Sequence, residues 1–223
     1  MPPSERRSLS LGYGWVIVAT GTLTILACLG FGRFALGMIL PSMGSGLGLS
    51  YGQLGTIGTA NFVGYLAAVL VARPLAARMG SRLLISLALL VVGGSMLLVS
   101  RAASFGVLAA LYAVTGFGSG AANVPMMALV AQWFEPARRG RAAGFVAIGS
   151  GFGIIASGKL IPYVNRVVGP DGWRTNWLVL GLCVTAIAIL ALVLLRNPPA
   201  RAAPARAPGA GPTASAPHPA AGP

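Results

Sequence analysis

The chain has 223 residues, of which 56% are hydrophobic and only 9% charged, with a formal net charge of +13. So few charges cannot cover a water-soluble globule, and basic residues gathered at the ends of long apolar runs point to a membrane rather than to nucleic acid. A bilayer core of about 30 Å takes roughly 20 apolar residues of helix. Six stretches reach that length, near 15–40, 54–72, 83–100, 105–131, 142–161 and 177–195. They are apolar all round rather than along one stripe, and lipid offers the backbone no hydrogen-bond partners, so each must be a helix. The fold expected is an all-α membrane protein with six transmembrane helices.

Helix one is preceded by Arg6 and Arg7. A cleaved signal is not expected, because the run is longer than an h-region and continues past Cys28. The helix closes with Gly30-Phe31-Gly32-Arg33-Phe34-Ala35. Arg33 is about 18 residues in, which the 1.5 Å rise places in the outer third of the membrane. A charge there costs several kcal/mol unless it faces a cavity or a partner. It is a candidate anchor for an anionic substrate, since a guanidinium forks a carboxylate. The alternatives are snorkelling to headgroups or a structural pair with a group outside this chain.

Helix two places Gly58, Asn61 and Tyr65 on one face, and helix four places Gly116, Gly120, Asn123 and Met127 on another. The glycines read as packing positions; Asn61, Tyr65 and Asn123 can serve a neighbouring helix or a ligand. Between helices two and three runs Arg73-Pro74-Leu75-Ala76-Ala77-Arg78-Met79-Gly80-Ser81-Arg82. Helix five carries a small-residue seam, Gly149, Gly153 and Ser157, then Lys159, a second candidate cation that is also placed to be interfacial. About 15 residues (162–176), with the turn signal Gly169-Pro170-Asp171-Gly172, are expected to join helices five and six. Cys28 and Cys183 fall inside helices one and six and read as small buried residues.

After Arg196 the composition changes. From Ala200 to Pro223 every residue except Thr213, Ser215 and His218 is Ala, Arg, Pro or Gly, which cannot bury a core and is expected to be disordered. Such a tail suits a flexible linker between two parts of a larger protein, or an out-of-frame translation of GC-rich DNA. The expected organisation is 1–13 as N-terminus, 14–196 as membrane domain and 197–223 as tail. Counting Lys and Arg, eleven lie on the side of the termini and four on the other, so both termini are expected in the cytoplasm.

Helix one's Gly30-Phe31-Gly32-Arg33-Phe34-Ala35, the Gly48-Leu49-Ser50-Tyr51-Gly52-Gln53-Leu54-Gly55 entry to helix two, Arg139-Gly140-Arg141-Ala142-Ala143-Gly144 and Gly172-Trp173-Arg174 come in a telling order. Together they resemble the N-terminal six-helix half of a bacterial major facilitator superfamily transporter, over about residues 11–196. The resemblance implies a 3+3 inverted repeat, a bacterial inner-membrane location and alternating access. It also implies a substrate path completed by a second six-helix half or by a second copy. The family's loop motif, Gly-x-x-x-Asp-Arg-x-Gly-Arg-Arg, is matched here at Arg78, Gly80 and Arg82, which implies a gating loop. Ala77 replaces the Asp that the family uses in its gate network. Ser157-Gly158 replace the Gly-Pro of the antiporter motif.

The spans contain no Asp, Glu or His. A proton relay through this part is therefore not expected, and neither is an intramembrane protease, which needs such groups. No phosphate-cradling Gly-x-x-x-x-Gly-Lys-Ser/Thr loop is present, since Leu160 follows Gly153-x-x-x-x-Gly158-Lys159. The reading is a transporter half for a small, anionic organic solute, not an enzyme, with no cofactor, metal or nucleic acid; lipid and the solute are its partners. The alternative is a truncated or frameshifted fragment, or a membrane scaffold, that does not transport.

Overall fold

The computed structural model describes residues 3–197, with side chains from Gly12 onward. Six helices are long and apolar enough to cross a membrane: helix one (Gly12–Leu47), two (Tyr51–Met79), three (Ser81–Val99), four (Phe105–Trp133), five (Pro136–Val168) and six (Gly172–Leu194). No strand occurs among the described residues. The tail at 198–223 lies outside them.

The helices run on past their apolar stretches, so the connections are shorter than the sequence suggests. The 15-residue loop expected between helices five and six is three residues, 169–171. Pro162 sits inside helix five, which ends only at Gly169 with φ 82°. The reason is that a proline or a charge ends an apolar run without ending a helix. Once a helix leaves the hydrocarbon, its backbone is still best satisfied by itself. Likewise Arg73 and Arg78 belong to helix two, which carries Pro74 internally. Arg138, Arg139 and Arg141 belong to the start of helix five. Only Gly80, at φ 82°, separates helices two and three. Helix one closes on Gly48 in the left-handed region, and helix two opens on a capping box. In that box Gln53 N–H donates to Ser50 Oγ and Ser50 N–H to Gln53 Oε1.

Helix two packs against helix four, and helix five against helix one; helices three and six pack on each other and flank the set. The two–four pairing thus repeats as five–one, as a 3+3 repeat requires. A Cβ on Gly64 or Gly116 would overlap backbone atoms of the partner helix, Ala113 O and Asn61 O respectively. A Cβ on Gly149 would overlap Thr22 O. Close approach of backbones replaces the hydrophobic effect as the cohesive force in lipid. The outer surface is apolar: Leu70 is 81% exposed and Val63 60%. Such a surface is tolerable only against lipid or another protein. Cys28 is buried, but Cys183 is exposed on helix six, contrary to the expectation that both are covered. Position within a span does not fix which side of the helix faces outward.

At the end where helices two, four and six finish, side chains cap helix six's orphan carbonyls. Tyr13 Oη donates to Leu194 O (2.7 Å) and Arg82 Nε to Leu192 O (2.8 Å). At the opposite end the Arg174 guanidinium donates to Ser100 O and Ala102 O, fixing helix six to the three–four turn.

Candidate functional site

Halfway along helix one the backbone leaves the α register. Leu26–Phe34 is π-helical, and Ala35 N–H bonds five residues back to Gly30 O. The widened turns are held from both sides. Gly30 packs so closely on helix five that a Cβ there would lie 2.7 Å from Gly153 Cα. From helix four, Ser119 Oγ donates to Cys28 O (2.8 Å) and Tyr112 Oη to Gly32 O (3.0 Å). π turns leave carbonyls poorly satisfied within the helix, and two buried hydroxyls in the next helix supply the missing donors. Tyr112 is itself fixed edge-on to Trp177, with ring centroids 5.6 Å apart.

The π stretch delivers Arg33 to helix two. Its guanidinium carbon lies 3.9 Å above the centroid of Phe62 and 4.8 Å from that of Tyr65. Cation–π contacts of this kind are worth about 0.5–2 kcal/mol, increasing as water is excluded. Arg33 Nε is buried with no partner, and all three acids of the chain (Glu5, Glu135, Asp171) lie outside the spans. The guanidinium is thus a partly covered cation with no counter-ion within the membrane domain. Tyr65 is the middle residue of helix two, so Arg33 stands near the midplane of the bundle.

From Arg33 a polar strip crosses the bundle. Asn123 Nδ2 on helix four donates to Tyr65 Oη (2.8 Å), which leaves the tyrosine hydrogen free for another acceptor. Asn61 Nδ2 donates to Tyr112 O (3.2 Å), and Asn61 Oδ1 is buried with no partner. Arg33, Asn61, Tyr65 and Asn123 are therefore brought together. Lys159 is not: it is exposed on helix five, six residues beyond Gly153, which puts it about 120° around the helix from the seam with helix one. Arg78, Gly80 and Arg82 lie at the helix two–three turn, about 20 Å along helix two from Tyr65. There Arg82 N–H and a Cβ-free Gly80 both meet the Asn197 side chain. Gly120, like Gly116, faces helix two, where a Cβ would meet Tyr65 O at 2.8 Å. Phe62, Tyr112 and Ser119 are site residues that sequence reasoning missed. The spacing of Phe62 and Tyr65 at i, i+3, and of Tyr112 and Ser119 at i, i+7, carried the signal. No cluster of three or more His, Cys, Asp or Glu side chains occurs among the described residues.

Comparisons with known proteins identify the family. Residues 22–220 match the Major Facilitator Superfamily. The chain is 25% identical to the 4-hydroxybenzoate transporter PcaK of Acinetobacter baylyi, over 82% of this chain and 39% of that protein. It is 32% identical to a gallate transporter of Pseudomonas putida, over 82% of this chain and 40% of that one. An oxalate:formate antiporter of Oxalobacter formigenes is 31% identical over 49% of this chain and 26% of its own. The chain thus spans about two fifths of the first two relatives. In fold it resembles a bacterial homologue of the human lysosomal transporter Spinster in an inward-facing, unoccupied conformation. The TM-score is 0.71 at 19% identity, covering 84% of this chain and 44% of that one. The chain is a multi-pass membrane protein that belongs to the Major Facilitator Superfamily of transporters, and it corresponds to an N-terminal six-helix half.

Proposed function

We propose that this chain forms one wall of a substrate path for a small organic anion, with Arg33 as the anchor. The observation that carries this reading is the Arg33 guanidinium, laid over Phe62 and Tyr65 with its Nε buried and without a hydrogen-bond partner, and no acid in any span. An intramembrane cation without a counter-ion is costly, and a carboxylate from outside would neutralise it bidentately. The rings beside it offer a flat apolar platform, and the Tyr65–Asn123 pair offers a polar end to the strip. Relatives named for 4-hydroxybenzoate, gallate and oxalate:formate exchange support a carboxylate as the class.

Helices two and five are the least covered by the rest of the bundle, which suits them to meet a second six-helix half or a second copy. Alternating access would then rock the two halves about the Arg33 strip, with Arg78, Gly80 and Arg82 as the gating turn. Lys159, outside the strip, takes no part in holding the anion in this reading. The arginine-rich end is the cytoplasmic one, by the positive-inside asymmetry, and the bacterial relatives support a bacterial inner membrane as the location. With no intramembrane acid or histidine here, coupling would come from the completing half or from anion exchange.

The test is uptake of labelled 4-hydroxybenzoate and formate by the completed assembly in liposomes, with a neutral amide analogue as control. Arg33→Ala should abolish uptake of both anions while the protein still inserts; Arg33→Lys should retain a fraction, having charge without the fork. Undiminished anion uptake by Arg33→Ala would overturn the assignment.

A further inference from the structure

Helix three begins without a cap of its own. Its first residue, Ser81, follows Gly80, which has no side chain to accept from the open N–H groups of a helix start. Asn197, three residues past the end of helix six at Leu194, supplies the acceptor, and Arg82 N–H donates to its Oδ1 (3.0 Å). Arg82 is the second residue of helix three, one of the two positions that an N-cap side chain serves. Gly80 makes the approach possible, since a Cβ on it would lie 2.7 Å from Asn197 Nδ2. The same arginine returns the contact: its Nε donates to Leu192 O (2.8 Å), one of the last carbonyls of helix six. Each helix end is thus closed by the other, and both closures meet on Arg82.

The peptide that presents Asn197 is held from two more sides. Tyr13 Oη from helix one donates to Leu194 O (2.7 Å), and Trp133 Nε1 from helix four donates to Arg196 O (3.3 Å). The Arg196 guanidinium lies over the Tyr13 ring, 4.7 Å from its centroid. The turn between helices two and three is less supported. It borders a cavity of about 530 Å³ between helices two and four, lined in part by Ala76, Ala77, Gly80, Ser81, Gln132 and Asn197. Small side chains leave that side of the turn open, so packing does not fix it there. The pair of caps is what ties it to helix six.

We propose that Asn197 is a positioning residue for the turn between helices two and three, holding it on helix six so that the turn moves only when both caps release. This rests on the reading of Arg78, Gly80 and Arg82 as the gating turn. Hydrogen–deuterium exchange of the full chain in lipid nanodiscs reads the turn without transport. Asn197→Leu, which keeps the size and removes the acceptor, should raise exchange at 80–84 about fivefold, the effect of a lost N-cap. Asn197→Asp keeps the acceptor and should exchange as the parent does. Arg82→Met alone should also raise exchange there, yet add little to Asn197→Leu, because the two caps share one residue. In the completed assembly, Asn197→Leu should change the maximal rate of anion uptake about threefold with KM unchanged, since no substrate contact is lost. Asn197→Asp should leave both unchanged. Unaltered exchange in Asn197→Leu, equal effects of Leu and Asp, a rise spread over the whole chain, or an unaltered maximal rate would each overturn the proposal. Arg33→Ala addresses the anion anchor alone: if uptake survived it while the Asn197 variants behaved as stated, the anchor would fall and the positioning role would stand. Were no anion taken up at all, the proposed function would fall, and the exchange pattern would decide the role of Asn197.

Discussion

The two helix crossings at the centre of the bundle are built on the same backbone contact and differ in what surrounds it. Where helix two crosses helix four, Gly64, Gly116 and Gly120 admit the opposing chain, and side chains then tie it. Asn61 reaches Tyr112 O, and Asn123 reaches Tyr65 Oη. Where helix five crosses helix one, Gly149, Gly153 and Gly30 touch backbone to backbone, with one side-chain tie beside them, Thr22 Oγ1 to Phe145 O (3.1 Å), and a second farther along, Asn165 Nδ2 to Ser42 Oγ (3.4 Å). The first crossing has fixed directions, because hydrogen bonds specify angle and register. The second is a smooth contact, and it lies against the π stretch that carries Arg33. The comparison suggests that helices two and four form the rigid frame, while helix one is held in place chiefly by shape and by the hydroxyls of helix four.

The largest effect should come from filling a crossing. Gly149→Leu would drive a side chain into Thr22 O, and Gly116→Leu into Asn61 O. Each should cost more than about 3 kcal/mol, seen as lost folded yield or a large fall in melting temperature in detergent. If Gly149→Leu were tolerated and Gly116→Leu not, helix one would be free to shift and the contrast between the crossings would sharpen. Equal tolerance of both would break it.

Tyr112→Phe is the next test, since it keeps the ring against Trp177 and removes only the donor to Gly32 O. A stability loss of about 1–2 kcal/mol is expected from the unpaired carbonyl. If the tyrosine positions Arg33, KM for the transported anion should rise in the completed assembly with little change in maximal rate. A change in melting temperature alone would mark Tyr112 as a packing residue.

The smallest effect should follow Asn123→Ala, which frees Tyr65 Oη at a cost of about 0.6 kcal/mol, typical of a polar contact between membrane helices. Its signature should be altered preference between hydroxylated and plain carboxylates, measured by competition for uptake. Unchanged preference would remove Asn123 from the substrate path.

Much of the fold was legible because partition into lipid is nearly a sum over local residues. The six spans followed from apolar run length and helical backbone self-satisfaction, and the order of short motifs followed the family. The pairing of Asn61, Tyr65 and Asn123 around Arg33 could be suspected, since polar side chains in apolar helices are few. The ends of the helices could not be read, because Pro162 and Arg166 interrupt hydrophobicity without interrupting hydrogen bonding.

What the sequence determined by itself is therefore the membrane class, the number of spans, the charge asymmetry and one unpaired intramembrane cation. Tertiary structure alone decided which faces meet. A π turn rotates every later residue relative to an α-helical count, so the direction of Arg33 depended on the Gly30–Gly153 contact and on donors from Tyr112 and Ser119, far away in sequence. The same phase problem separated Lys159 from the strip, and the packing of helix three on helix six brought Asn197 to Arg82. Helix phase and crossing are set by contacts between distant segments, and no local property of the chain encodes them.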